Sequence, residues 1–287
     1  MLVITTIQAI TNHILKLRKE GKTVGFVPTM GALHTGHISL INRAKRECDV
    51  VVCSVFVNPT QFNDPLDFEK YPNTLLADQE KLIKAKCHIL FLPTVAEMYP
   101  QGTTQSTKID FGYLAQTLEG EFRPGHFDGM AQIVKLLLLA VCPTHLYMGQ
   151  KDYQQAMICR LLIKTLKLKI ALIVCPIKRE PDGLAMSSRN VRLSADARQR
   201  AVEIIKTLKA IKRWTAKAKI GGSTVMAAIE KRAAEKMDAF PEFEVEYIAI
   251  RNATTLKPIK ILNFDTTAVA LIAARIEGVR LIDNMYV

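Results

Sequence analysis

The sequence has one tryptophan, no closely paired cysteines and no long hydrophobic run, and each shortage removes a class of protein. Trp214 is the only tryptophan, and aromatic residues make up 7% of the chain. Single-strand nucleic-acid binders stack bases on aromatics set among basic residues. That interleaving is missing, so the net charge of +12 does not by itself point to nucleic acid. Much of the charge falls on Lys206, Lys209, Lys212, Arg213, Lys217 and Lys219, a spacing that reads as the solvated face of a helix. Excess positive charge also concentrates small anionic substrates. None of Cys48, Cys53, Cys87, Cys142, Cys159 and Cys175 forms a Cys-x-x-Cys pair. That usage fits a reducing, cytoplasmic setting, with Cys53, Cys142 and Cys175 as small buried hydrophobes. No apolar run approaches the roughly 20 residues that span a bilayer. The Met1 end carries no basic-then-apolar signal pattern, so neither a membrane nor secretion is expected, and the sequon Asn252-Ala-Thr254 is not read as glycosylated.

What is present is an ordinary globular composition, 49% hydrophobic and 23% charged over 287 residues, long enough for two domains. Apolar runs at 24–27, 50–57, 88–92, 145–148 and 170–175 read as strands. Helical patterns at 36–46, 75–85, 127–141 and 154–166 alternate with them. This βαβα order predicts an α/β protein with a Rossmann-like, mainly parallel sheet over residues 1–176, covered by helices on both faces. Ligands of such sheets sit beyond the carboxyl ends of the strands, near a switch in strand order. The turn-rich Arg179-Glu-Pro-Asp-Gly183 reads as a hinge. After it, 194–217 reads as one long helix capped by Ser194, and 223–239 as another. Strands at 244–251, 268–274 and 279–282 complete a smaller α+β domain over 177–287.

The stretch Val27-Pro-Thr-Met-Gly-Ala-Leu-His-Thr-Gly-His37 carries the most chemical information. An apolar strand ends, a Gly-containing loop follows, and His-x-Gly-His opens a helix. His34 and His37 share one face at the first turn. A helix N-terminus presents backbone N–H groups and the positive end of the macrodipole to an anion. A histidine pair at this spacing often binds nothing, and zinc would need a third ligand that no neighbouring residue supplies at ligand spacing. The strand–loop–helix context turns the reading toward a nucleotide site.

Five further segments follow in order: Asn58-Pro-Thr-Gln61, Glu121-Phe-Arg-Pro-Gly-His126, Gly149-Gln-Lys-Asp-Tyr-Gln-Gln155, Asp182-Gly-Leu-Ala-Met-Ser-Ser-Arg-Asn190 and Leu281-Ile-Asp-Asn284. Together with the first motif they resemble the pantothenate synthetase (pantoate–β-alanine ligase) family of the His-x-Gly-His nucleotidyltransferase superfamily. The resemblance runs from Val24 to Asn284. It implies ATP-dependent condensation of pantoate with β-alanine through a pantoyl adenylate, releasing pyrophosphate and then AMP, in pantothenate biosynthesis. A carboxylate is a poor electrophile, and adenylation supplies AMP as its leaving group. Both steps build negative charge that preorganised positive groups stabilise.

By this resemblance Met30, Gly31, Ala32, Leu33, His34, Thr35, Gly36 and His37 contact ATP, as do Gly149, Gln150, Lys151 and Asp152. Lys178, Met186, Ser187, Ser188 and Arg189 join them from the second domain. His37, His34 and Lys151 carry the chemistry. Two roles stay open for His37, proton donor or hydrogen-bond donor to the pentavalent phosphate. Gln61 and Gln155 are the pantoate pair, supported by Asn58, with Arg123 countering an anionic group. The 187–189 loop, just past the domain break, reads as part of a lid that excludes water from the adenylate. Asp78 is the one candidate ligand for Mg2+. Ala77 stands where the family often has a second acidic residue, so the metal site departs from the pattern. Gln150 replaces a frequent Glu, Lys178 a small apolar residue, and Asp128 stands where relatives commonly carry Arg. The family implies a homodimer formed through the first domain, with 50–57 near the contact. Two alternatives remain. One is another His-x-Gly-His enzyme transferring AMP to a phosphorylated acceptor, which would not need Gln61 and Gln155 around a small acid. The other is a basic nucleic-acid-binding module.

Overall fold

The computed structural model describes residues 1–62, 68–103, 109–221, 225–261 and 265–287, with 219–221 described by their backbone. The chain divides into two compact units, Met1–Pro176 and Ile177–Val287. The first contains β1 (Leu2–Ile4), α1 (Ile7–Lys19), β2 (Val24–Thr29), α2 (Thr35–Glu47), β3 (Val50–Val55), α3 (Leu75–Lys84), β4 (Ile89–Phe91), α4 (Val95–Met98), α5 (Glu119–Phe122), α6 (His126–Val141), β5 (His145–Gly149), α7 (Tyr153–Thr165) and β6 (Ala171–Cys175).

The six strands form one sheet in the order β1-β4-β3-β2-β5-β6, and every pairing is parallel. Alternate residues of each strand enter different cores, as the two-residue period requires. Val24, Phe26, Val52, Ile89, Phe91, Leu146 and Met148 pack with Ile10 and Ile14 of α1, Met130 and Val134 of α6, and Ile158 and Leu162 of α7. Val27, Val51, Cys53, Val55, Leu90 and Tyr147 face Leu40, Ile41 and Ala44 of α2 and Leu82 of α3. The order reverses at β2, which pairs with β3 on one side and β5 on the other. The loops leaving β3, β2 and β5 therefore emerge side by side.

The structure adds β1 and α1, which give little periodic signal because β1 is only three residues long and α1 buries only Ile10 and Ile14. Strand β3 sits inside the sheet between β2 and β4, and Val51–Val55 are buried. One expectation changes, since Cys142 is only half-buried. It ends α6 in a left-handed conformation with its thiol on the Leu139 carbonyl at 3.0 Å.

In the second unit, β7 (Phe243–Asn252), β8 (Ala268–Ile276) and β9 (Val279–Tyr286) form an antiparallel sheet in sequence order. It packs with α8 (Ala195–Arg200), α9 (Val202–Gly221) and α10 (Met226–Asp238). The expected single helix is thus two. Ser194 does cap the first, accepting from the Ala197 N–H at 3.1 Å. At fully buried Ala201 an i→i+3 bond from the Ile204 N–H (3.3 Å) tightens the chain and separates α8 from α9. Lys206, Lys209, Lys212, Arg213 and Lys217 are all exposed on α9, as the charge spacing predicts. The side chain of Lys219, and Ser223 at the start of the next expected helix, lie outside the described residues.

The expected hinge is a closed turn. The Glu180 N–H bonds the Leu184 carbonyl at 2.8 Å, and Arg179 bridges Ala185. Arg179 also forms a two-pronged pair with Asp283 of β9, at 2.6 and 2.9 Å. Bidentate guanidinium–carboxylate geometry is rigid. The Leu281-Ile-Asp-Asn284 segment therefore anchors this turn to the small sheet. Among the described residues, no helix is long and apolar enough to cross a membrane.

Candidate functional site

The loop after β2 is built against steric preference. Gly31 has φ +84° and Ala32 has φ +48°, left-handed values that Ala adopts at a cost. A Cβ on Gly31 would also press within 3.1 Å of Asp78 and Val55. What holds this loop is Asp78 on α3. Its carboxylate accepts the Ala32 N–H at 2.8 Å, the Leu33 N–H at 2.7 Å and the Thr74 hydroxyl at 3.2 Å. Lys81, one turn further along α3, donates to the Leu33 carbonyl at 2.6 Å.

This assigns Asp78 a different task from the metal-ligand expectation. The residue is 1% exposed, and both oxygens are committed to backbone N–H groups. Among the described residues, no cluster of three or more His, Cys, Asp or Glu could hold a metal ion. The described residues therefore supply no all-protein magnesium cage, and a single carboxylate already engaged by the loop could add at most one ligand to an ion held by phosphates and water. Asp78→Ala should leave two backbone N–H groups unpaired and destabilise the protein by about 1–3 kcal/mol per group. Chemical denaturation of this variant, with a magnesium titration of activity, checks the assignment. A large change in magnesium requirement with unchanged stability would return Asp78 to the metal.

His34 is the N-cap of α2 and His37 its third residue, and the two imidazoles cap the helix reciprocally. The Gly36 N–H donates to His34 Nδ1 at 3.1 Å, and the His34 N–H to His37 Nδ1 at 3.3 Å. The rings are 4.1 Å apart. An Nδ1 that accepts a backbone proton leaves the hydrogen of a neutral imidazole on Nε2. Both rings therefore offer an Nε2–H donor, and they occupy N–H groups that the sequence reading left bare for an anion. Burial lowers the pKa of His34 to about 4, with Lys151 as the next cause. Burial, then His34, then Lys151, lower that of His37 to about 3. At neutral pH neither ring carries an imidazolium proton to give away.

Lys151 lies in the 3-10 turn Gln150–Asp152 after β5, with its ammonium 3.5 Å from Asp152. Its charge bears on both histidines, so the β2 and β5 loops meet as the strand switch predicts. Asn58 precedes the turn Pro59–Gln61 after β3, and Gln61 ends it. Asn58 is 1% exposed. Its amide donates to Gln61 Oε1 at 3.3 Å and to the Gly129 carbonyl at 3.2 Å, and it accepts from the Tyr99 hydroxyl at 2.7 Å. The Gln61 amide donates to the Met30 sulfur, tying the second loop to the first. Gln155 is half-buried on α7. Its neighbour Gln154 is consumed structurally, accepting from the Glu119 N–H and donating to the Leu114 and Thr117 carbonyls.

Arg123, expected to counter an anionic group, has Glu119 at 3.8 Å and His126 Nε2 at 3.1 Å as partners. Asp128 is exposed in the first turn of α6, where a carboxylate complements the helix dipole. In the second unit, the Met186 N–H bonds the carbonyl of exposed Lys178 at 3.1 Å. Ser187 Oγ accepts from the Arg189 N–H at 3.2 Å, and Ser187, Ser188 and Arg189 are half-buried. Sequence reasoning gave no role to Lys81, Tyr99, Gly129 or Gln154, whose importance lies in what they touch. His126 stood in a quoted motif, yet nothing local marks it as a partner of Gln61.

Comparison with known proteins agrees with this geometry. The family model described as pantoate-beta-alanine ligase matches residues 2–286. A pantothenate synthetase of Cytophaga hutchinsonii is 47% identical, over 100% of this chain and 99% of the relative. One from Porphyromonas gingivalis is 44% identical, over 99% of both. Among solved structures, a Thermus thermophilus pantothenate synthetase superposes with TM-score 0.89 at 38% identity, covering 99% of both chains. A Francisella tularensis pantoate-beta-alanine ligase, complexed with beta-gamma ATP and beta-alanine, gives 0.75 at 36% identity, covering 99% of this chain and 97% of that one. With the histidine-capped loop at a parallel-sheet switch and the match along nearly its whole length, this chain belongs to the pantoate–β-alanine ligase family.

Proposed function

We propose that the two capping imidazoles act on ATP as neutral hydrogen-bond donors, and that Lys151 adds a fixed positive charge beside them. The chain is an ATP-dependent pantoate–β-alanine ligase, and the observation that carries our reading of its chemistry is the Nδ1 capping that leaves Nε2–H on both rings. In the first step a pantoate carboxylate oxygen attacks the α-phosphorus, the bond to the β-phosphate oxygen breaks and pyrophosphate leaves. In the second, the β-alanine amine attacks the acyl carbon, the bond to AMP breaks and the amine proton goes to solvent. Donors already in place where charge develops need no reorganisation during the step.

Met30–His37 and Gly149–Asp152 are assigned to the nucleotide, and Gln61 and Gln155 to pantoate, whose hydroxyls and carboxylate suit an amide that donates and accepts. Asn58 acts by holding Gln61. Lys178, Met186, Ser187, Ser188 and Arg189 are assigned to the nucleotide from the second unit, whose hydroxyls and guanidinium suit phosphate oxygens. Magnesium travels with the triphosphate, since the ion keeps several waters and takes phosphate oxygens readily. Family membership supports a homodimer in the cytoplasm.

Exchange of labelled pyrophosphate tests the adenylate. With ATP, magnesium and pantoate, and β-alanine withheld, label should enter ATP. Exchange that requires a phosphorylated acceptor and ignores pantoate would instead establish transfer of AMP to a phosphate, the competing chemistry of this superfamily.

A further inference from the structure

His126 is 6% exposed at the first residue of α6, and both of its nitrogens are engaged. Nε2 lies 3.1 Å from Arg123 Nη1, and Nδ1 lies 3.0 Å from the backbone carbonyl oxygen of Gln61. A guanidinium has donors only and a carbonyl oxygen is an acceptor only. One arrangement satisfies both contacts: Nε2 accepts from Arg123, and Nδ1–H donates to Gln61. The ring is thereby neutral and held in one tautomer. The support continues outward. Glu119 lies 3.8 Å from Arg123, and the Glu119 N–H is held by Gln154 of α7 at 3.1 Å. A line of contacts thus runs from α7 through α5 and Arg123 to the carbonyl of Gln61.

We propose that His126 is a positioning residue for pantoate recognition, its Nδ1–H pinning the Gln61 carbonyl while Arg123 selects the tautomer that makes this possible. The proposal rests on the reading that Gln61 contacts pantoate. Gln61 ends the turn Pro59–Gln61, and Asn58 holds its side-chain oxygen. With the amide oxygen and the backbone carbonyl both fixed, the amide nitrogen has one direction left. That nitrogen meets the Met30 sulfur here, a weak acceptor that a substrate oxygen would readily displace. Arg123 in this scheme acts through His126, not on a substrate.

The test is steady-state pyrophosphate exchange on the full-length chain, with KM for pantoate and ATP measured separately. His126→Leu removes the donor at similar volume and should raise the pantoate KM about tenfold, the loss of one buried hydrogen bond, with the ATP KM unchanged. His126→Asn places an amide N–H near the Nδ1 position and should recover most of that loss. Arg123→Met, which frees the tautomer, should raise the pantoate KM by a smaller factor, and adding it to His126→Leu should change nothing further. Equal increases in both KM values, or an Asn variant no better than Leu, would reduce His126 to a structural residue. An Arg123→Met effect larger than that of His126→Leu and additive with it would put Arg123 directly on the substrate and overturn the proposal. Gln61→Ala is the control that separates the two readings. If it leaves the pantoate KM unchanged, the Gln61 assignment is wrong and the His126 proposal falls with it. If it raises that KM while His126→Leu does not, the His126 proposal alone falls.

Discussion

Replacing His37 with alanine slows pantoate-dependent pyrophosphate exchange by about 10²–10³-fold, the usual consequence of deleting one preorganised donor from a developing anion. The fold survives. The variant loses one side of the capping box, which costs about 1 kcal/mol. Stopped-flow or isotope-exchange rates, read beside a urea denaturation curve, separate the two effects. Unchanged exchange would remove His37 from the chemistry.

The pH dependence follows from the same geometry. For kcat/KM the relevant ionisations are those of the free enzyme, where His34 and His37 titrate near about 4 and about 3. The wild-type profile should therefore show no inflection near 6.5 from these two rings. An inflection there that His37→Ala abolishes would restore the proton-donor role. Stability carries the complementary signature. The unfolded chain's histidines take up protons near 6.5, while the folded pair resists until about 4 and about 3. Between those limits the unfolded state binds more protons, so stability falls as pH drops from about 6.5 toward about 4. The slope of denaturation midpoint against pH over that window should be shallower in the His37→Ala variant.

Alanine at Gly129 should raise the pantoate KM and destabilise the protein by about 1–3 kcal/mol, the range for overpacking a filled interior. A Cβ built on Gly129 would stand 2.1 Å from the Thr60 carbonyl oxygen, far inside van der Waals contact, and a tight 3.0 Å from the Gln61 nitrogen. The helix cannot give way easily, because Phe127, Met130, Ala131, Ile133 and Val134 around it are buried. The turn carrying Gln61 must move, and with it the bond from Asn58 to the Gly129 carbonyl. Thermal melts and the ratio of pantoate to ATP KM check this. A variant with wild-type values for both would mean the turn has slack that its contacts deny.

Some of this was legible in the chain itself. Strands such as 50–55 are rich in β-branched valine, and helices such as α6 bury one continuous face. Those periodicities are local properties, so the alternation of strands and helices, and with it a parallel sheet, could be read directly. The His-x-Gly-His motif was legible for the same reason, since capping a helix needs only neighbours in sequence. Asp78 was not. Its carboxylate closes on N–H groups 45 and 46 residues earlier, and nothing around it distinguishes a loop clamp from a metal ligand. The partners of Arg123 were hidden for the same reason, because a guanidinium on a turn looks free until His126 is seen beside it.

The sequence by itself determined the α/β architecture, the anion-facing loop and the family, because these rest on residue type and short-range spacing. Only the tertiary structure decided that both histidines stand neutral with their Nε2–H free for use, that Asp78 clamps two backbone N–H groups of the loop, and that Gln61 is held from both sides. Each of those depends on burial and on partners far away in the chain. Desolvation, tautomer and hydrogen-bond satisfaction are properties of a packed environment, and the order of residues carries them only through the fold it produces.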